Sequence, residues 1–185
     1  SNSLGCLSGV FDWNGSSKPN KLNKDVKTLG MATGLGTECA IEAGGKCFTA
    51  ASISTPLTKA QCEAEKDKLG IKSCYYETDY WAGAVKQCGG VSKMPTMDDL
   101  AKLATELYKE HPSVGAKQDI DDGLTLDTSK ASSMGFTGTS FTVWSGEERY
   151  STSASSRYFY SSYTHWSSSS RNGRNSDAQA VCLGD

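Results

Sequence analysis

The sequence predicts one disulfide-bonded α+β domain that follows an irregular N-terminal region. Three observations support this fold class: two stretches of helical character, short apolar runs separated by glycine turns, and seven cysteines among 185 residues. A chain of this length fits one domain comfortably. The leading Ser1 and Asn2 resemble the remnant of a cleaved tag, so we expect that a signal or membrane anchor has been removed.

Residues 1–56 are expected to form turns between short strands, since glycines interrupt brief apolar runs throughout. Gly44 and Gly45 mark one such turn. Cys39 and Cys47 flank it, and a hairpin would bring them within bridging distance. We place the domain itself at 57–185.

The first helix is predicted from Thr58 to Leu69, where helix-favouring Lys, Ala, Gln and Glu predominate. Gly70 stands where a C-terminal cap belongs. The following residues 71–76 have the character of a strand, and a bridge between Cys62 and Cys74 is the pairing we expect there.

The second helix is the clearest element. Thr96 is its predicted N-cap, and Asp98 and Asp99 suit its first turn. The apolar residues that follow recur at helical spacing, which is typical of core packing. The helix is expected to end within residues 109–111, because Pro112 cannot continue it. Residues 140–145 and 178–183 are predicted strands.

The segment between those strands, residues 150–177, has an unusual composition and is named here the Ser/Tyr tract. It contains no Lys, Glu, Gln or Met, although these types are common elsewhere in the chain. Its aromatic residues, the alternation over residues 157–163 and the strand after it weigh against a disordered linker. Tyr, Ser, Gly and Asn with scattered Arg and Trp are also typical of antibody binding loops, so the composition predicts a recognition surface.

Charge and cysteine content restrict the function further. A net charge of -2 and only four arginines give no basic stripe, so we expect no nucleic acid partner. The cysteines form no C-x-x-C pair and have no nearby histidines, which favours disulfides over zinc ligation and implies an oxidising compartment. With seven cysteines one is left over, and Cys6 is our candidate.

Three stretches in order carry a resemblance to a known family: residues 94–100 (MPTMDDL), residues 143–148 (VWSGEE) and residues 178–182 (AQAVC). Together they resemble the motif pattern of C-type-lectin-like domains over 88–185. The whole chain is similar to pilin-associated variable proteins that retroelements diversify in gut bacteria. The resemblance implies a C-type-lectin-like fold with two helices packed on a small, mostly antiparallel sheet, and a bridge between Cys88 and Cys182.

The same resemblance implies how the tract arose. In that family, error-prone reverse transcription replaces template adenines, and the codons that result never encode Lys, Glu, Gln, Met or Trp. Trp166 is the exception in the tract, and its codon contains no adenine, so the resemblance makes it a fixed scaffold residue. It further implies that full-length relatives carry a pilin-type N-terminal helix, missing here, as the one membrane contact, and that the protein is exported through the inner membrane and displayed on a bacterial pilus or cell surface.

Within the tract, the polar and aromatic residues are expected to face a ligand, whereas Phe159, on the opposite side of the strand from Tyr158, should enter the core. Arg157 and Arg171 suit either binding or a scaffold role as ion-pair partners of Glu147 and Glu148, and we favour the scaffold role. The candidate ligand-binding residues are Tyr150, Ser151, Ser153, Ser155, Ser156, Tyr158, Tyr160, Ser162, Tyr163, His165, Ser167, Ser168, Ser169, Asn172, Gly173, Asn175 and Ser176.

We expect a binding protein with no cofactor, no bound metal and no enzymatic activity. Asp119, Asp121 and Asp122 miss the spacing of a calcium loop and indicate a solvated turn. The ligand would be a protein or glycan on another cell or phage surface, and other pilin subunits are further candidate partners. Two alternatives remain: a structural minor pilin, and an oxidase-like enzyme that uses Cys62 or Cys74.

Overall fold

The computed structural model describes residues 39–168 and 173–184. These residues fall within one compact unit, Cys39–Asp185. The unit therefore begins before residue 57, where we expected the domain boundary. The predictions for residues 1–38, including the unpaired Cys6, and those for Ser169, Arg171 and Asn172 lie outside the described residues.

Along the described residues three short strands come first, the helices follow, and four further strands come last. The strands are β1 (Ile41–Ala43), β2 (Lys46–Phe48), β3 (Ser52–Ile53), β4 (Phe141–Tyr150), β5 (Ser153–Phe159), β6 (Thr164–Ser167) and β7 (Gln179–Ala180). The helices are α1 (Lys59–Leu69), α2 (Tyr80–Cys88), α3 (Met97–Leu107) and α4 (Thr128–Ser133), with a 3-10 turn at Val91–Lys93.

The main sheet has five strands in the order β3-β7-β4-β5-β6. All its pairings are antiparallel except that of β4 with β7, which is parallel. Strands β1 and β2 form a separate hairpin around Gly44 and Gly45, as predicted. The fold class is therefore α+β with a small, mostly antiparallel sheet.

Hydrophobic clusters lie against both faces of strand β4, whose successive side chains point to opposite sides. Val143 joins the cluster that contains the leucines of α3. Its neighbour Trp144 joins the cluster that contains Trp81 of α2 and Cys62 of α1. Strand β4 is consequently fixed from both sides, and it supports β5, which carries the first half of the Ser/Tyr tract.

Local capping explains the two helices that the sequence predicts. Thr58 and Thr96 each accept a hydrogen bond from the backbone amide three residues later, and each helix has a reciprocal capping box. Gly70 ends α1 in the left-handed conformation, as expected. Helix α3 ends at Leu107, two residues before the predicted end.

Other elements differ from the predictions. Helix α2 was not expected, and residues 71–76 are not a strand. The fourth strand extends well beyond residue 145, whereas the last strand contains only Gln179–Ala180. The alternation over 157–163 belongs to β5 and the turn after it, since β5 ends at Phe159.

Three disulfide bonds link the described cysteines: Cys39–Cys47, Cys62–Cys74 and Cys88–Cys182. All three pairings are as predicted. Cys88–Cys182 closes the longest loop, with a sequence separation of 94. Disulfides persist in oxidising surroundings, so the bonds indicate an extracytoplasmic environment. No helix in the described ranges has the length and hydrophobicity to cross a bilayer.

A candidate ligand-binding face on the Ser/Tyr tract

The tract enters the sheet as two paired strands, and the pleat assigns its side chains to opposite faces. Phe159 is fully buried in the core, as predicted. Tyr158, next to it, points to the other face and lies opposite Thr142 of β4 and His165 of β6. The register therefore places aromatic residues from β5 and β6 side by side.

Four of these side chains form a continuous series, named here the aromatic row: Tyr158, Tyr160, Tyr163 and His165. The ring centroids of Tyr158 and Tyr160 are 5.8 Å apart. Tyr160 and Tyr163 stack at 4.5 Å, and Tyr163 lies 4.9 Å from His165. Because rings at these separations attract one another, each ring restricts the motion of the next.

Tyr108 in the core anchors the turn that carries Tyr160 and Tyr163. Its hydroxyl oxygen lies 2.7 Å and 2.8 Å from the carbonyl oxygens of Tyr160 and Tyr163, and its proton can be donated to either. The Tyr160 amide also donates to the Tyr163 carbonyl, which closes the turn. Burial raises the pKa of Tyr108 above its ordinary value, so the hydroxyl stays protonated and remains a donor.

Arg157 fixes the strand from the core side. It is fully buried, and one terminal nitrogen donates to the carbonyl oxygens of Gly115, Ala116 and Gln118, at 2.9 to 3.2 Å. Burial lowers the pKa of Arg157 to about 10, which still leaves it charged at neutral pH. The scaffold role fits this position, but the expected pairing with Glu147 or Glu148 is wrong.

The partner of Glu148 is Arg174, near the end of the tract. Arg174 donates to Glu148 at 3.0 Å and to Asp79 through two nitrogens, at 3.1 Å and 2.8 Å. Its guanidinium also lies 4.5 Å from the ring centre of Trp81. Glu147 instead accepts from the Met97 amide at the start of α3. Sequence reasoning missed Arg174, because no local pattern indicates a partner 95 residues away.

Two aspartates of the segment 119–122, which pairs with β6 through a bridge between Ile120 and Thr164, hold that outer strand. Asp121 lies 2.9 Å from His165 Nε2, and Asp119 accepts a hydrogen bond from the Trp166 amide at 3.0 Å. Trp166 itself packs partly buried against the core, where Lys117 lies over its ring. Among the described residues, no group of three or more His, Cys, Asp or Glu is placed to hold a metal ion.

Most of the predicted ligand-facing residues reach solvent, though several do not. Those at least partly exposed are Tyr150, Ser151, Ser155, Tyr160, Ser162, Tyr163, His165, Ser167, Ser168, Asn175 and Ser176. Those that are buried, contrary to prediction, are Ser153, Ser156, Tyr158 and Gly173.

Position in the sheet explains the buried residues. Strand β5 lies between β4 and β6, so neighbours on both sides cover its side chains. Ser156 lies opposite the large Trp144, and Tyr158 has Tyr160 against its ring. Ser153 pairs with Gly173 in a backbone bridge that returns the tract to the sheet. Composition identified the tract, but it did not show which positions of the tract are buried by neighbouring residues.

The fold and this face define a class: a disulfide-bonded α+β domain whose aromatic row lies on a sheet held in place by buried residues. Comparison of the chain with protein-family models, curated proteins and solved structures finds no match.

Proposed function

We propose that this chain is a binding domain with a C-type-lectin-like fold, displayed on a bacterial pilus or cell surface. Its Ser/Tyr tract is a diversified recognition surface that does no chemistry. The observation that carries the proposal is the aromatic row, whose Tyr160, Tyr163 and His165 rings are partly exposed while Arg157 and Tyr108 hold the backbone beneath them.

A surface of this kind binds with little loss of conformational freedom. Tyrosine supplies a large contact area with few rotatable bonds, and serine and asparagine supply adaptable hydrogen bonds. The rings of Tyr160 and Tyr163 already stack on each other without a partner. Affinity would then come from these few anchors among near-neutral polar contacts.

The division of the tract into buried and exposed positions supports diversification. Ser162 is exposed and Tyr163 is partly exposed, so we expect both positions to accept replacement at little cost in stability. Arg157, Phe159 and Arg174 are fully buried, so they must stay fixed for the domain to fold. Diversification is then confined to the outward positions of a constant scaffold.

Several features of the fold support the C-type-lectin-like assignment. The VWSGEE stretch lies on β4, the central strand that bears both hydrophobic clusters. Cys88–Cys182 joins the end of α2 to the segment that follows β7. The ligand would be a protein or glycan on another cell or on a phage, and other pilin subunits are further candidate partners.

The neighbouring DNA tests diversification. We expect a near-copy of the codons for residues 150–177 beside a reverse-transcriptase gene, with adenines concentrated at the codons of exposed positions. The codons for Arg157, Phe159 and Arg174 should be identical in both copies. Absence of the near-copy, or differences at those three codons as frequent as elsewhere, would overturn the proposal.

Binding is tested with two variants of the full chain. Fluorescently labelled wild type is applied to a panel of bacterial cells, phage particles and arrayed glycans, beside the double variant Tyr160→Ala/Tyr163→Ala. We expect the wild type to bind at least one target and the double variant to lose at least about tenfold in affinity. The matched control is Tyr75→Ala, which removes another exposed tyrosine, 57% accessible and outside the tract. Binding by neither protein, or equal binding by wild type and double variant, would contradict the proposal.

A further inference from the structure

We infer that the recognition face includes a second subsite, a cavity beside the aromatic row that accepts a basic side chain of a protein partner. The inference rests on the proposed binding function, and it specifies the partner: a protein that presents an arginine or lysine. Asp177 is the side chain that would recognise that group, and it is not among the predicted ligand-binding residues.

The cavity is an open depression of about 310 Å³ at the side of the sheet where β3, β7 and β4 meet. Its lining includes Ile53, Ser140, Phe141, Thr142, Asp177 and Ala178. A space of this size is at the small end of ligand-binding cavities, which suits one side chain of a partner better than a whole large ligand.

The cavity adjoins the aromatic row. Thr142 lines the cavity and is the direct cross-strand neighbour of Tyr158. Tyr158 in turn lies opposite His165. A partner seated on the tyrosine rings would therefore lie within reach of the cavity without any rearrangement of the sheet.

The chemistry of the lining favours a cation on an aliphatic stem. Asp177 is exposed, and within the described part of the chain no hydrogen bond or ion pair occupies its carboxylate. None of the lining residues is Lys or Arg. Ile53 is 50% exposed and offers apolar surface beside the carboxylate. Arginine and lysine bury their methylene stems on apolar surface while the charged end seeks a carboxylate.

A second carboxylate lies along the same face. At the other end of the aromatic row, the Asp121 carboxylate beside His165 is 85% exposed. The Gln179 amide in the lining already donates to and accepts from the Thr137 backbone, and the other neutral polar groups there are hydroxyls. Asp177 is the one charged residue among those that line the cavity, and a charged partner group forms a stronger hydrogen bond with its carboxylate than a neutral hydroxyl does.

The test uses a small cation and its neutral isostere. The isotope-labelled full chain is titrated with N-acetyl-arginine amide, with N-acetyl-citrulline amide, which has the same length but no charge, and with a methyl mannoside. We expect the arginine compound alone to shift the backbone amide resonances of Thr142 and Ala178 in a saturable manner. Asp177→Asn should weaken that binding at least about tenfold. The control Asp122→Asn, which removes an exposed carboxylate elsewhere, should leave it unchanged.

Three results would overturn the subsite: no saturable shift with the arginine compound, an equal response to citrulline or to the mannoside, or unchanged binding in Asp177→Asn. The proposed function fails separately. If the arginine compound binds while the Tyr160→Ala/Tyr163→Ala variant keeps full affinity for its targets, the aromatic row is not the recognition surface. If only the tyrosine variant loses affinity, the recognition face stands without this subsite.

Discussion

Arg174 Nη2 lies 2.8 Å from Asp79 Oδ2, and neither side chain is exposed to solvent. This contact joins the end of the Ser/Tyr tract to the N-cap of α2, since Asp79 also accepts a hydrogen bond from the Ala82 amide. Glu148 accepts from the same guanidinium, so one buried cation holds two carboxylates from distant parts of the chain.

The Arg174→Ala variant should be strongly destabilised. Removing the arginine leaves Asp79 and Glu148 buried without their cation, which typically costs about 3 to 5 kcal/mol of folding free energy. Urea denaturation with the disulfides intact measures the loss. The control is Arg149→Ala, an exposed arginine next to the tract, which should change stability by less than about 1 kcal/mol. Equal effects of the two substitutions would show that the Arg174 network is not structural.

The Tyr158→Phe variant should be as stable as the wild type or more stable. The Tyr158 hydroxyl is buried and has no hydrogen-bond partner among the described residues. Removing an unsatisfied polar atom eliminates a desolvation penalty of about 1 kcal/mol or more, while the ring and its packing remain. Denaturation midpoints test this expectation, and a clear loss of stability would reveal a partner for the hydroxyl.

The Tyr108→Phe variant should behave in the opposite way. It removes the donor to the Tyr160 and Tyr163 carbonyls, so we expect a loss of about 1 to 2 kcal/mol. The pH dependence should change as well. Burial raises the pKa of Tyr108 in the folded state. The stability that its protonated hydroxyl gives the fold is therefore complete below the unfolded-state pKa of 10.0 and declines as the pH rises above that value.

The measurement is the free energy of unfolding as a function of pH. Wild type should lose more stability than Tyr108→Phe as the pH rises above the ordinary tyrosine pKa, near 10. Parallel curves for the two proteins would contradict the assignment of Tyr108 as a buried, neutral donor. Tyr75→Phe, at an exposed tyrosine, serves as the control and should follow the wild type.

Local signals determined which elements the sequence could predict. The caps at Thr58 and Thr96 lie within a few residues of the helices they start, and the flanking cysteines mark the hairpin of β1 and β2. Helix α2 escaped prediction because its stability depends on tertiary contacts. Gly83 illustrates this, since a Cβ atom there would lie 2.0 Å from the Thr55 carbonyl oxygen.

The candidate site was predictable in composition and only partly in geometry. An excess of Ser and Tyr identifies the tract, and the pleat assigns Phe159 to the core. Composition does not show that β5 is flanked on both sides, which buries Ser156 and Tyr158, nor that Arg174 reaches Asp79. Those features depend on strand order and on contacts between residues far apart in the sequence.

Two displayed libraries would test most directly whether the outward residues form a replaceable recognition surface on a fixed frame. The first randomises Ser162, Tyr163 and His165, which are at least partly exposed, and the second randomises the buried positions Ser156, Arg157 and Phe159. Folding is measured as protease resistance with the disulfides intact, before each library is selected for binding to a purified protein. We expect most members of the first library to fold and some to bind, while most members of the second unfold. Equal folding losses in the two libraries, or a folded first library without binders, would contradict the proposed diversified binding face.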